Sequence, residues 1–300
     1  MVRGCGRARE DILCCGGPMP ELPELEVMCE ILREQLPGRP IAGARALHPG
    51  LLKTVDPPLD ALVGRSIERI SRRGKHLIFS AVEDLHVVIH LMLAGRLVWS
   101  GGDKKRTRAT GFLFHFEDGD DLRVIENGTK RRVRVHVVRE PAEVEAIARA
   151  GVEPLSEELT VEFLRVGFDG LRRQLKKAIT NQAFIAGIGS AYADEALFAA
   201  KLSPIRYAST LSLEEVQRLH AAIQKTLTGA IEEIRVRSRG AMVASHERDF
   251  LQIYEKTGQP CPECGTRIEE IRYAQKKIYY CPHCQSGDKT LPDRRSWLTR

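Results

Sequence analysis

Apolar positions recur along this chain with two periods, and the period changes near residue 140. From Leu22 to Leu36 the apolar residues Leu25, Met28, Cys29, Leu32 and Leu36 return at helical spacing, and Pro37-Gly38 ends the run. This predicts one amphipathic helix with Cys29 on its apolar face. Between about Ile41 and Val138 the period shortens to two. The runs HLIFSAV, HVVIHLML, RLVW, FLFHFED, LRVIEN and RVRVHVV are rich in β-branched and aromatic residues, and an antiparallel two-layer β domain is the natural reading. From Pro141 to about Ile234 the pattern is read as helical throughout. Ser212-Leu-Glu-Glu215 is a capping box opening a long helix, VQRLHAAIQKTLTGAIEEI. The predicted fold class is α+β, with units at 19–140 and 141–240, a cysteine module at 250–290 and a basic tail at 291–300. Residues 1–18 carry no sustained period, and no packed structure is expected there.

Composition narrows the partners. Forty-six Lys and Arg against 40 Asp and Glu give a net charge of +6, which suits a polyanion and equally an ordinary basic protein. No apolar run approaches the roughly 20 residues of a membrane span, and residues 1–18 lack the apolar stretch of a signal peptide. A cytosolic protein that does not engage membranes is expected.

Four of the eight cysteines are paired as C261-P-E-C264 and C281-P-H-C284, with 16 residues between the pairs. In a reducing compartment Cys261, Cys264, Cys281 and Cys284 read as the two knuckles of a zinc ribbon. Four thiolates complete a tetrahedron, so the one Zn2+ is structural. The intervening hairpin, RIEEIRYAQKKIYY, carries Gln275, Lys276 and Lys277 at its tip. Such a tip suits phosphate contact, and a solvated charged turn is an equal alternative. In Ala186-Gly187-Ile188-Gly189-Ser190 two glycines allow a tight turn, and Ser190 would cap the helix that follows. The outward amides make an anion site. A plain connection between helices reads as well, but Lys176 and Lys177 one helix earlier favour a DNA phosphate.

Three separated stretches then agree: PELPELE at Pro20 to Glu26, FIAGIGSAYADEALF at Phe184 to Phe198, and CPECG…YYCPHCQ. Together, and in this order from about Met19 to Arg300, they resemble the formamidopyrimidine-DNA glycosylase and endonuclease VIII family, as a divergent subgroup. The resemblance implies a β-sandwich, a helix-two-turn-helix domain and a zinc finger. It also implies a monomeric enzyme of the bacterial cytosol or nucleoid that excises oxidised bases from damaged double-stranded DNA and then cuts the abasic strand. By the motif match, Pro20 would attack C1′ and form a Schiff base, and Glu21 would be the acid acting on the sugar ring. Lys75, in SRRGKHLIF, would support the phosphate and the elimination. Lys176, Gly187, Gly189 and Ser190 would contact DNA, with Leu93 as the wedge that fills the gap left by a flipped base. Lys276 stands where the family's finger arginine grips the lesion phosphates. Departures are visible. Ser190 replaces an Asn, Lys276 keeps charge without bidentate geometry, and ENGTKRRVRV (Glu126 to Val135) replaces an Asp-Pro-Arg-Arg-Phe stretch. The second elimination is therefore not carried over.

The chemistry is coherent on its own terms. An α-amine has a pKa of about 8, far below lysine, so a useful fraction is neutral near pH 7. A proline amine condensed with an aldehyde gives a charged iminium, which acts as an electron sink. Taken alone, Pro20-Glu21 reads as the opening turn of a helix. The histidines show no ligand spacing and read as structural or solvated. Within the chain, Pro20 nitrogen is a tertiary amide with no free lone pair. The enzyme reading therefore requires Met19 to be the functional start and to be removed; otherwise the alternative is a non-catalytic DNA-binding protein of the same fold.

Overall fold

The computed structural model describes residues 19–48, 50–101, 105–127, 131–239, 248–273 and 276–292. The 1–18 extension, Gln275 and most of the basic tail lie outside the described residues, as does the side chain of Lys276.

Helix α1 (Leu22–Gln35) comes first, then strands β1 (Ile41–Ala46), β2 (Ile67–Arg73), β3 (His76–Ala81), β4 (Leu85–His90), β5 (Gly95–Gly101), β6 (Thr110–Phe116), β7 (Asp120–Glu126) and β8 (Arg134–Val138). They form two four-stranded antiparallel sheets, ordered β1-β6-β7-β5 and β2-β3-β4-β8. Alternation along each strand sends one face inward, and Phe79, Phe112, Phe114 and Phe116 fill the space between the sheets. Each such ring contributes roughly 1.5–3 kcal/mol on burial.

Helix α1 buries two faces rather than one. Leu25, Met28, Cys29, Leu32 and Leu36 join the sandwich core, as their spacing predicts. Leu22, Val27 and Ile31 pack instead on Ile231 and Ile234, from a long helix of the second unit. The first helix is thus the seam between the units.

The second unit contains α2 (Glu145–Ala148), α3 (Val161–Phe168), α4 (Leu175–Ile179), α5 (Ser190–Ala199) and α6 (Leu213–Ser238). The capping box is present: Glu215 N donates to Ser212 Oγ (3.3 Å) and Ser212 N to Glu215 Oε2 (2.9 Å). The expectation of helix throughout is wrong for residues 149–160, 169–174, 180–189 and 200–212, the last of which holds only a short 3-10 turn at Ala208–Thr210. Gly151, Pro154 and Gly170 interrupt the period, and Val152 instead forms a parallel bridge to Ile185. A side chain at Gly151 would collide with the Phe184 backbone at 2.2 Å. The third unit is a hairpin, β9 (Glu269–Tyr273) and β10 (Lys276–Tyr280), followed by α7 (Pro282–Ser286).

Candidate active site

The site is built where the start of α1 meets the start of α5. Glu21 is buried and stands at the N-cap of α1. Its carboxylate accepts hydrogen bonds from Gly189 N (2.6 Å) and Ala191 N (3.1 Å). These are amides that the first turn of a helix leaves without intrahelical partners, in a position favourable to negative charge. The Gly-Ile-Gly turn is therefore an anion site, and the anion seated on the amides of Gly189 and Ala191 is the protein's own carboxylate. The N-cap is Gly189, not Ser190. Ser190 is the first residue of the helix, exposed, with its Oγ 3.5 Å from the carbonyl of Lys277.

Both glycines are required by close approach. Gly187 has φ of +95°, and a Cβ there would lie 2.9 Å from Leu22. The Leu22 amide donates to the Gly187 carbonyl at 3.2 Å. At Gly189 a Cβ would lie 2.3 Å from Glu21 Cδ and 2.5 Å from Lys75 Nζ. The missing side chain is what lets the carboxylate and the lysine converge.

Lys75 is delivered by the tight β2–β3 turn, where Gly74 has φ of +55°. Glu153 fixes that turn by accepting from Gly74 N (2.7 Å), Arg72 Nη1 (2.7 Å) and Arg73 Nη1 (3.0 Å). Arg73 also donates to the carbonyls of Ala150 and Gly151. Burial holds the Lys75 ammonium below its ordinary pKa and Arg248 adds to this, while Glu21 and Glu24 oppose it.

Around Pro20 lies a network that sequence reasoning missed. Glu24 accepts from Glu21 N (2.9 Å), Tyr192 Oη (2.8 Å) and Arg248 Nε (2.7 Å). Arg248 Nη2 donates to the Met19 carbonyl at 3.0 Å, and its Nη1 lies 3.7 Å from Glu21. The guanidinium sits 5.2 Å from the Tyr192 ring centroid and 5.9 Å from that of Tyr254. Burial and the carboxylate of Glu24 push the Tyr192 phenol well above its usual pKa. The signal available in the sequence was Glu24, an acid on the inner side of a helix start. Nothing marked Arg248, which is 224 positions away from it.

In the ribbon the Sγ atoms of Cys261, Cys264, Cys281 and Cys284 all lie within 4.8 Å of one another. Tetrahedral zinc with Zn–S bonds of about 2.3 Å needs sulfurs a little under 4 Å apart, and the pairs 261–284 and 264–281 lie at 4.0 and 3.5 Å. The donor set fits one structural Zn2+.

Comparison with known proteins agrees with this geometry. Residues 19–133 match the formamidopyrimidine-DNA glycosylase N-terminal domain, 150–239 the H2TH domain of the same enzyme, and 258–287 the zinc finger found in FPG and IleRS. The formamidopyrimidine-DNA glycosylase of Pelotomaculum thermopropionicum is 34% identical over 275 residues, covering 89% of this chain and 99% of that protein. That of Symbiobacterium thermophilum is 36% identical over 280 residues, covering 89% of each. The chain belongs to the formamidopyrimidine-DNA glycosylase family. It is a base-excision-repair DNA glycosylase carrying a zinc finger. Among solved structures, the Lactococcus lactis FPG in complex with DNA containing Fapy-dG superposes with a TM-score of 0.81 at 27% identity, covering 89% of this chain and 100% of that one. The FPG of Thermus thermophilus gives 0.77 at 29% identity, covering 89% and 98%.

Other residues expected to serve the glycosylase are placed variously. Lys176 is not a surface phosphate ligand. It is buried, with Nζ 2.7 Å from Asp194 and 3.2 Å from the Lys277 carbonyl. Asp194 also accepts from Tyr279 N (3.2 Å), so the pair joins α4 and α5 to the ribbon hairpin. An amphipathic reading could not foresee this, because the ribbon supplies the cover. Lys276 opens β10, next to the exposed Lys277. Leu93 projects from the β4–β5 turn with 48% of its surface exposed. The preceding Met92 has φ of +56°, and its amide donates to His90 Nδ1 (3.0 Å). His76, His90 and His136 line a cleft of about 350 Å3 beside Lys75, with Arg134 and Gln182. Burial lowers all three imidazoles, His76 to about 4 and His90 to about 3. These histidines line the cleft beside the lysine, a placement that ligand spacing could not indicate.

Proposed function

We propose that the enzyme removes an oxidised base from damaged double-stranded DNA and then cuts the abasic strand by β-elimination, with the nitrogen of Pro20 as nucleophile after loss of Met19. The observation that carries this reading is the convergence of the Met19-Pro20 bond, Glu21 and Lys75 at the Gly189 helix end. The family match beginning at residue 19 supports it, as do structural relatives solved with Fapy-dG DNA and with abasic-site DNA. The working form is a monomer in the cytosol. Among the described residues no helix is long and apolar enough to cross a membrane.

In this mechanism the neutral Pro20 amine forms a bond to C1′ as the C1′–base bond breaks, its electron pair leaving with the base, which takes up a proton. Glu21 takes the proton of the attacking amine and returns it to the ring oxygen as the C1′–O4′ bond opens, leaving an iminium. Loss of a proton from C2′ then sends electrons into a C2′–C3′ double bond, and the 3′ phosphate departs. Water hydrolyses the iminium and frees Pro20. Lys75 orients the phosphate chain, Leu93 fills the gap left by the flipped base, and Lys276 and Lys277 meet the backbone from the ribbon. Lysine at 276 favours a single elimination.

Borohydride trapping tests the reading. Protein beginning at Met19 should form a covalent adduct with abasic-site DNA at Pro20, whereas protein in which Pro20 stays within the chain should form none. Salt-sensitive binding with no adduct in either form would leave a non-catalytic DNA-binding protein.

A further inference from the structure

We infer that Arg248 is a positioning residue for the proposed nucleophile, holding the Met19-Pro20 end in place and keeping the freed Pro20 amine in its neutral, attacking form. The inference rests on the reading of Pro20 as nucleophile.

Arg248 lies in the segment between α6 and the ribbon, and its guanidinium is buried against the start of α1. Its Nη2 donates to the Met19 carbonyl at 3.0 Å. A carbonyl oxygen lies about 2.3 Å from the nitrogen of its own peptide bond, so Nη2 is within roughly 5 Å of Pro20 nitrogen. When Met19 leaves, its carbonyl leaves with it, and a permanently charged donor then faces the new amine. A guanidinium has no lone pair to offer and does not deprotonate. A protonated amine beside it is a like-charge pair, whereas a neutral amine is tolerated.

The surrounding charges make this contribution necessary. From α1, Glu21 and Glu24 favour the ammonium form. Lys75 of the β2–β3 turn and Arg96 of β5 bring positive charge, and Tyr192 of α5 with Tyr254 of the linker supply phenols above the guanidinium. Arg248 pairs with Glu24, lies 3.7 Å from Glu21 and donates to the peptide that becomes the amine. Its aromatic flanks and the Glu24 pair hold the fork in one orientation, which a flexible lysine would not reproduce at two partners.

The test is the pH dependence of borohydride trapping on abasic-site DNA, using full-length zinc-loaded protein beginning at Met19, with thermal melting to verify folding. In Arg248→Gln the half-maximal pH should rise by about one unit, so that trapping at pH 7 falls about tenfold and recovers near pH 9. In Glu24→Gln it should move down instead, and either shift alone carries the inference if the other variant does not fold. A uniformly lower rate with the midpoint unmoved in both variants, or no change at all, would sink the inference while leaving the nucleophile intact. No adduct in the wild type would overturn the nucleophile reading and this inference together.

Discussion

One methyl group separates a working arrangement from a blocked one at Gly189. Its Cβ would stand 2.3 Å from Glu21 Cδ and 2.5 Å from Lys75 Nζ, so Gly189→Ala must push the acid and the lysine apart. We expect base excision under single-turnover conditions to fall at least about 100-fold, with a stability cost of about 1–3 kcal/mol. Lys176 calls for a different pattern. Its ammonium is spent on Asp194 within the protein, so Lys176→Met leaves a buried carboxylate without its countercharge and should cost about 3–5 kcal/mol in urea denaturation. The salt dependence of DNA affinity should not change, whereas loss of a true phosphate ligand would lower the slope by about one. The cleft histidines predict a pH effect of definite sign. His76 and His90 are neutral in the folded chain well below the ordinary pKa of 6.5, so between about pH 6.5 and 4 the unfolded state binds more protons and stability falls as pH falls. Each unit of depression is worth about 1.4 kcal/mol. Chemical denaturation across this window should show that slope, and His90→Gln should flatten it.

At the scale of elements, the β2–β3 turn owes its place to a carboxylate from the other unit. Removing Glu153 unties Gly74, Arg72 and Arg73 together. Glu153→Ala should therefore lower strand cutting through a misplaced Lys75, with a loss of about 2–3 kcal/mol in melting experiments. The contrast between this turn and the strands around it shows what a sequence reveals. The strand runs, the first helix and the Ser212 box were legible because each is written locally, as a period or as a pair three residues apart. The broken stretch at 149–160 was not, because Val152 finds its partner at Ile185. The cysteine cluster was plain from spacing, and motif pointed to Glu21 and Lys75, which the structure brings together at Gly189. The second face of α1, the burial of Lys176 and the position of Arg248 were hidden for one reason. Each is decided by a surface that arrives from more than 80 residues away.

The whole molecule is held together through its site. Stripping zinc should loosen β9 and β10, and through Lys176, Asp194 and the Lys277 carbonyl it should be felt at α5. Chelation is expected to weaken DNA affinity while the sandwich keeps its β-sheet circular dichroism, with one zinc released per chain. The Glu21 carboxylate seated on the amides of Gly189 and Ala191 carries a broader consequence. The first unit supplies the acid of the proposed mechanism and the second supplies its seat, so docking of the units and assembly of the proposed catalytic centre are one event. A chain with its halves parted leaves that acid without its seat. Its glutamate would face no helix-end amides, and the turn that carries Lys75 would lack its brace from Glu153.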